Sequence, residues 1–218
     1  MDFTFRYDSP LGILTLVSDG ISLTELRFSG RGASELRSDG RKVSELRSGG
    51  RTKDREICGG NSMLPVFADT CRWLDIYFAG RDPGFLPQLA PEGTPFRKEV
   101  WKLLLSIPYG ETTSYRALAA IVAERRGRNG AYQAGGISRM SAQAIGGAVG
   151  HNPIPIIIPC HRVIAADGSM GGFSAGIERK AWLLSHEGQI AAGCLKGFAT
   201  GVSEGGDRLS VREQNFQA

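Results

Sequence analysis

The chain is poor in histidine and cysteine and has no long apolar run, and each shortage removes a class of function. No stretch approaching about 18 consecutive apolar residues occurs, so a membrane-spanning helix is not expected. The opening MDFTFRYDSPLG lacks a basic region followed by an apolar one, which argues against a secretory signal and makes a cytoplasmic setting the expectation. Cys58, Cys71, Cys160 and Cys194 are widely spaced and form no CxxC pair, so neither a zinc ribbon nor a disulfide framework is suggested. His151, His161 and His186 all lie in the C-terminal half, which leaves Cys58 and Cys71 without imidazole partners for a metal. No metal and no cofactor are expected. The net charge of +4 is too small by itself to mark a nucleic-acid binder.

What is present is a globular composition, 41% hydrophobic and 22% charged over 218 residues, enough for one large or two small domains. The basic bias is local: eight basic and three acidic side chains fall between Arg97 and Ala142, a balance that suits DNA or a solvated helical face. Residues 3 to 28 alternate as strands, with turn signals at Pro10-Leu11-Gly12 and Ser18-Asp19-Gly20, and read as an antiparallel meander. A repeat follows, LTELRFSGR, ASELRSDGR and VSELRSGGR, with Glu25, Glu35 and Glu45 in register. So few aliphatic groups cannot bury enough surface to fix a backbone, and residues 29–60 read as a flexible insertion.

Phe67, Cys71, Leu74 and Phe78 then recur at helical spacing between Leu64 and Ala79, with Gly80 as the stop. The connector PGFLPQLAPEGTP leads to a domain boundary near Thr94, and Phe96, Val100, Leu103 and Leu104 mark a helix ending before Pro108. Thr113 or Ser114 caps a helix through Arg125 with Leu118, Ile121 and Val122 as its apolar face. Beyond GRNGAYQAGG comes a second helix, capped by Ser138 or Ser141, with Ala142, Ile145 and Val149 on one face, so the pair is a helix-turn-helix candidate. Gly146 and Gly147 inside it each cost about 1 kcal/mol relative to alanine. With Ala142, Ala144 and Ala148 they give a smooth surface for a nucleic-acid groove or for another helix. A last helix from Ile177 to about Glu187 turns Ile177, Ala181, Trp182 and Leu184 inward and stops at Gly188. Glu187 sits at the unfavourable end of the helix dipole, exposed or held by a cationic partner. The tail from Leu195 reads as disordered.

The chain is organised around Cys160. Three isoleucines between Pro155 and Pro159 mark an extended buried segment that stops just before the thiol, which is thereby presented rather than packed. His161 and Arg162 follow, both favouring the thiolate, the nucleophilic form of cysteine. Gly168, Gly171 and Gly172 allow a tight loop close to a ligand.

The strings NPIPIIIPCHRV and GGFSAGIERKAWLLSHEG closely resemble the active-site signature of the O6-alkylguanine-DNA alkyltransferase (methylated-DNA-protein-cysteine methyltransferase) family. The resemblance runs from about Thr94 to Gly188 and more faintly before it. It implies direct-reversal DNA repair: Cys160 takes a methyl or other small alkyl group from O6-alkylguanine, and O4-alkylthymine is a further candidate. Each molecule acts once. It also implies that His161 deprotonates Cys160 through a water, that Glu187 orients the imidazole, that Tyr115 assists guanine departure, and that Asn152 joins the DNA-binding helix to the active-site segment. Val163, Phe173, Ser174 and Ala175 would line the base pocket. Ser138, Ser141, Ala142, Gln143, Ala144, Gly146, Gly147 and Arg162 would meet double-stranded DNA, with the helix in the minor groove and the target base flipped.

Three departures stand out. Gln143 occupies the position where many relatives place an arginine, the spacing from Tyr115 to Gln143 is longer than in the shorter relatives, and Phe173-Ser174-Ala175-Gly176 replaces tyrosine-serine-glycine-glycine. The alternative is a non-catalytic alkylated-DNA binder of the alkyltransferase-like kind, which replaces the cysteine that is present here. The expected fold class is α+β. An N-terminal α/β domain with a small antiparallel sheet spans residues 1–93, a mostly helical winged-helix-like domain with a helix-turn-helix spans 94–190, and a tail spans 191–218. A monomer is expected, with no membrane partner.

Overall fold

The computed structural model describes residues 2–29, 55–56, 63–128, 141–188 and 215–216. Strand β1 (Phe3–Ser9) reverses into β2 (Gly12–Ser18) through a turn closed by the Ser9 hydroxyl, which accepts from Leu11 N at 3.1 Å, and by Gly12 at φ +96°. A positive φ is easy only for glycine. The next turn is held by the Asp19 carboxylate, which accepts from Ile21 N at 2.8 Å and Ser22 N at 2.7 Å, and leads into β3 (Leu23–Phe28). The expected meander is therefore present, antiparallel throughout, with Leu14, Leu16, Leu23 and Leu26 on the buried face.

A short strand β4 (Arg55–Glu56) adds to the free side of β1 in parallel, giving the order β3-β2-β1-β4. The end of the segment read as a flexible insertion thus belongs to the sheet; its residues 30–54 and 57–60 lie outside the described residues.

Helix α1 (Pro65–Phe78) packs on this sheet, stacking Phe67 on Phe5 at 5.7 Å and bonding the Tyr7 hydroxyl to Asp75 at 2.7 Å. Its buried face is Val66, Phe67, Thr70, Trp73, Leu74 and Tyr77. The expected stripe through Cys71 and Phe78 is rotated: both are only half-buried, because Trp73 and Tyr77 fill the interior. Helix α2 (Pro95–Leu105) starts where Thr94 accepts from Arg97 N at 3.3 Å, with Pro95 in the first turn. Its Trp101 Nε1 donates to Ala148 O at 2.9 Å.

Strand β5 (Thr113–Ser114) leads directly into α3 (Tyr115–Arg128), whose first turn is capped by Ser114 accepting from Ala117 N at 3.1 Å. Helix α4 (Ala142–Gly150) is capped by Ser141, which accepts from Gln143 N at 3.1 Å; Ser138 lies outside the described residues. Ile145, Ala148 and Val149 are the buried side of α4, whereas Ala142, grouped with Ile145 and Val149 on one face and also among the residues expected to meet DNA, is exposed. Strand β6 (Val163–Ile164) pairs with β5, and α5 (Ile177–His186) ends at Gly188, φ +81°.

Two expectations for the C-terminal part are corrected. Helix α5 buries Lys180, Leu183 and Leu184, while Ile177 is 48% exposed and Trp182 sits at the rim, stacked on His186 at 4.7 Å. Of the tail read as disordered, residues 195–214 and 217–218 lie outside the described residues, and only Asn215 and Phe216 are seen, packed on the body. Leu89 N donates to Asn215 O at 2.8 Å, Asn215 Nδ2 donates to Leu86 O at 2.6 Å, and the Phe216 ring is buried beneath the Lys102 ammonium. Among the described residues the molecule is thus a mixed α/β structure with a small, largely antiparallel sheet and five α-helices, none of them long and apolar enough to cross a membrane.

Candidate active site

The segment between α4 and Cys160 is folded by one side chain. Asn152 accepts from Ile154 N at 3.0 Å through Oδ1 and donates to Ile158 O at 2.7 Å through Nδ2, and Ile158 N closes the loop on Ile154 O at 2.9 Å. Inside this clamp Ile156 adopts φ +75°, a left-handed conformation that costs an L-residue roughly 1–2 kcal/mol. Burial of Ile154, Ile156, Ile157 and Ile158 offsets that cost. Pro159 ends the segment, and Cys160, His161 and Arg162 form a single 3₁₀ turn.

Pairing of Thr113 with Val163 and Ser114 with Ile164 then sets the start of α3 beside this turn. Tyr115 is carried there, half-buried between α4 and the glycine loop. A Cβ added to Gly171, φ +60°, would lie 3.3 Å from the Tyr115 ring and hydroxyl, and one added to Gly146 would lie 3.9 Å from the ring. A side chain at Gly171 would therefore press on Tyr115 and strain a left-handed backbone, whereas a Cβ on Gly147 would meet only open space.

Cys160 is 3% exposed, so the thiol is packed in the same core as the isoleucines and not presented as the sequence suggested. Burial pushes its pKa up to about 11, opposed by a hydrogen bond from Asn152 and the charge of Lys180. The resting side chain is a thiol at neutral pH. Burial and the neighbouring Cys160 also raise the Tyr115 pKa, burial foremost, so Tyr115 keeps its proton.

His161 is fully buried, with Nε2 2.8 Å from Glu187 Oε1. A carboxylate only accepts, which assigns the ring hydrogen to Nε2 and leaves Nδ1 with a lone pair. That Nδ1 is buried and has no hydrogen-bond partner. Desolvation holds the His161 pKa below its ordinary value against the pull of Glu187.

Glu187 is 5% exposed and collects the remaining donors. Oε1 accepts from Tyr77 Oη at 2.8 Å and Arg162 Nη2 at 3.0 Å; Oε2 accepts from Arg162 Nε at 2.8 Å and Gly110 N at 3.2 Å. Against desolvation, His161 and Arg162 keep its carboxyl well below the usual carboxylate range. The choice left open by the sequence is decided: Glu187 is buried and partnered, at the C-cap of α5.

Arg162 was expected to face DNA and to favour the thiolate. It is instead 5% exposed, bound to Glu187 and to Ile107 O at 2.7 Å. A 3₁₀ turn separates successive side chains by about 120°, so the residue two after Cys160 points away from it.

Three groups at this site were not singled out from the sequence. Lys180, fully buried, donates to the carbonyls of Val163 and Met170, and its pKa is lowered to about 8 by desolvation. The spacing 180, 183, 184, 187 on α5 is a helical face and could have revealed it. Tyr77 is the second, on an equivalent face of α1 with Thr70, Trp73 and Leu74. Gly110, a backbone donor, carries no sequence signal of that role.

Of the expected pocket residues, Phe173, Ser174 and Ala175 line a cavity of about 420 Å³ together with Pro155, Phe28 and Arg179, whereas Val163 is fully buried and neither it nor Cys160 is part of that lining. Gln143, Ala144 and Gly147 are exposed on α4. Among the described residues no cluster of three His, Cys, Asp or Glu side chains could hold a metal ion.

Residues 95–189 match the family model described as 6-O-methylguanine DNA methyltransferase, DNA binding domain. A methylated-DNA-protein-cysteine methyltransferase of Mycolicibacterium paratuberculosis is 37% identical over 180 residues, 83% of this chain and 88% of the relative. One from Methanosarcina barkeri is 44% identical over 121 residues, 56% of this chain and 68% of the relative. The crystal structure of Mycobacterium tuberculosis O6-methylguanine methyltransferase superposes with a TM-score of 0.62 at 36% identity, covering 89% of this chain and 98% of that one. The structure of Mycobacterium tuberculosis OGT in complex with DNA superposes with a TM-score of 0.59 at 37% identity, covering 88% of this chain and 95% of that one. With its cysteine, histidine and buried glutamate joined in one core and its similarity running through both halves, the chain belongs to the methylated-DNA-protein-cysteine methyltransferase family.

Proposed function

We propose that this protein repairs DNA by direct reversal, moving a methyl or other small alkyl group from guanine O6 to Cys160 in a single turnover. The observation that carries the reading is the buried line Cys160, His161, Glu187, in which the only nitrogen left without a protein partner is His161 Nδ1. Cys160 Sγ attacks the alkyl carbon; the C–S bond forms as the C–O6 bond breaks, and the electron pair stays with guanine. The thiol proton passes to Nδ1 through a water, and Tyr115 donates a proton to the departing guanine. Asn152 and Lys180 favour the developing thiolate, opposing the desolvation that holds it protonated at rest. Glu187 and Arg162 hold the imidazole from behind. A thioether has no easily expelled leaving group, so the protein is spent.

The target atom is inaccessible inside a stacked duplex, so the base is flipped at a cost of roughly a few kcal/mol. The exposed side of α4, with Gln143, Ala144 and Gly147, is the surface offered to double-stranded DNA, with α3 and α4 acting as the helix-turn-helix of a domain that begins at Thr94. Phe173, Ser174 and Ala175 form the pocket that receives the base. The protein acts as a monomer.

Intact-protein mass after incubation with an O6-methylguanine duplex tests the reading. The expected result is a gain of one methyl group, mapped to Cys160, and no gain for Cys160→Ser with duplex binding retained. A methyl group found on Cys58, Cys71 or Cys194, or transfer by Cys160→Ser, overturns it.

A further inference from the structure

Tyr77 lies outside the matched segment 95–189, on the helix that packs against the N-terminal sheet, yet its hydroxyl reaches the centre of the site. We propose that Tyr77 is a positioning residue for alkyl transfer: by donating to Oε1 of Glu187, the oxygen that faces His161, it fixes the carboxylate and damps its pull on the imidazole. The inference rests on the reading of His161 as the base.

The geometry is unusually constrained. Tyr77 is fully buried, its ring stacked on Trp73 at 5.3 Å and met edge-on by Phe78 at 5.4 Å and Tyr109 at 5.9 Å, so the hydroxyl has one direction to point. Its backbone is held as well: the Tyr77 carbonyl accepts from His186 Nε2 at 2.8 Å, one residue before Glu187. Helix α1 therefore grips the end of α5 twice, once at the carbonyl and once at the carboxylate. The Tyr77 pKa is driven well above its ordinary value, by burial first and then by Glu187, so the hydroxyl is a donor at every working pH.

Oε1 shares its negative charge among three donors: Tyr77 Oη, Arg162 Nη2 and His161 Nε2. The other charged and titratable groups facing His161 are Lys180 on α5 and Cys160 beside it; those facing Glu187 also include Tyr109. Removing the Tyr77 hydroxyl leaves all of these in place and strips one donor from Oε1. The carboxylate then attracts the imidazolium more strongly, and His161 becomes more basic. A merely structural tyrosine would not move that property.

Single-turnover transfer from O6-methylguanine duplex is measured against pH for the full chain, for Tyr77→Phe and for Tyr109→Phe, a control that removes a neighbouring hydroxyl not bonded to the carboxylate. The acid limb of the Tyr77→Phe profile is expected to move to higher pH by roughly half a unit, slowing transfer most below neutrality and leaving the alkaline plateau near that of the wild type. Tyr109→Phe leaves the limb in place. Transfer by the wild type shows that the proposed function stands, whatever the variants do. A folded Tyr77→Phe with an unmoved limb, or with the same loss at every pH, overturns the inference. If Tyr77→Phe does not fold, 3-fluorotyrosine placed at position 77 decides: its more acidic hydroxyl donates more strongly to Oε1, so the acid limb is expected to move to lower pH, and an unmoved limb overturns the inference.

Discussion

Cys160, His161 and Glu187 are all perturbed, and the directions fit together. Burial keeps the thiol protonated, lowers the basicity of His161 and would protonate Glu187, had Arg162 and His161 not held the carboxyl ionised. Transfer therefore needs neutral His161, and its rate is expected to rise with pH along a limb centred below about 6.5, the ordinary histidine value. A stopped single-turnover series across acid and neutral buffers checks this. Stability should follow the same course. The unfolded chain binds protons more readily than the folded one at both His161 and Glu187, so unfolding free energy falls on acidification. The loss starts near the unfolded histidine value for His161; for Glu187 it starts near the unfolded carboxylate value and is complete only once the pH passes the depressed folded value. Urea unfolding at a set of pH values measures it. Glu187→Gln removes the counter-charge of a buried arginine and is expected to cost about 3–5 kcal/mol as well as most of the transfer rate.

Among the elements, α4 carries a test that separates packing from recognition. Gly147 faces open space, so Gly147→Ala has no clash to relieve and should stabilise the helix by about 1 kcal/mol. If the exposed side of α4 presses on a duplex, the same methyl group should weaken DNA binding. A rise in Tm with unchanged duplex affinity would move the DNA surface elsewhere. Gly146 is different, since its neighbour is the Tyr115 ring. Both glycines were visible in the sequence, and so were the three strands of the meander, Ser114 and Ser141 each as one of two cap candidates, and, through the family resemblance, the Cys160-His161-Glu187 set. What the sequence did not reveal depends on rotation and on distance along the chain. The inward faces of α1 and α5 were assigned about one position off, because Cys71, Phe78, Ile177 and Trp182 are as apolar as the residues that are buried. Arg162 was assigned to DNA through the resemblance and to the thiolate because it follows Cys160 closely, and the 3₁₀ turn reverses both inferences. Tyr77 meets Glu187 across 110 positions, a contact no local pattern encodes.

Across the whole molecule, the first third of the chain is fastened to the active-site half by backbone as well as side chains. Leu26 N donates to Pro153 O at 2.9 Å, next to the Asn152 clamp, and Arg179 lies over the Phe28 ring at 4.8 Å while donating to Ala175 O at 3.0 Å. Strand β3 thus braces the loop that lines the pocket. The far end of the chain adds a further rung: Leu23 bridges Leu89, and Leu89 bridges Phe216. Phe216→Ala should cost about 3 kcal/mol, a fall in Tm of roughly 6–12 °C for a chain of this size, with little change in the transfer rate at 25 °C. Calorimetry and the single-turnover assay together decide it.

That rung has a consequence for proteolysis. Asn215 and Phe216 are joined to α5 only through residues 189–214, and it is this covalent continuity that keeps them at a high local concentration beside Leu86 and Leu89. A nick close to Asn215 would turn an intramolecular contact into the binding of a short peptide, which dilution would undo. The nicked protein should keep its catalytic core and yet melt like Phe216→Ala.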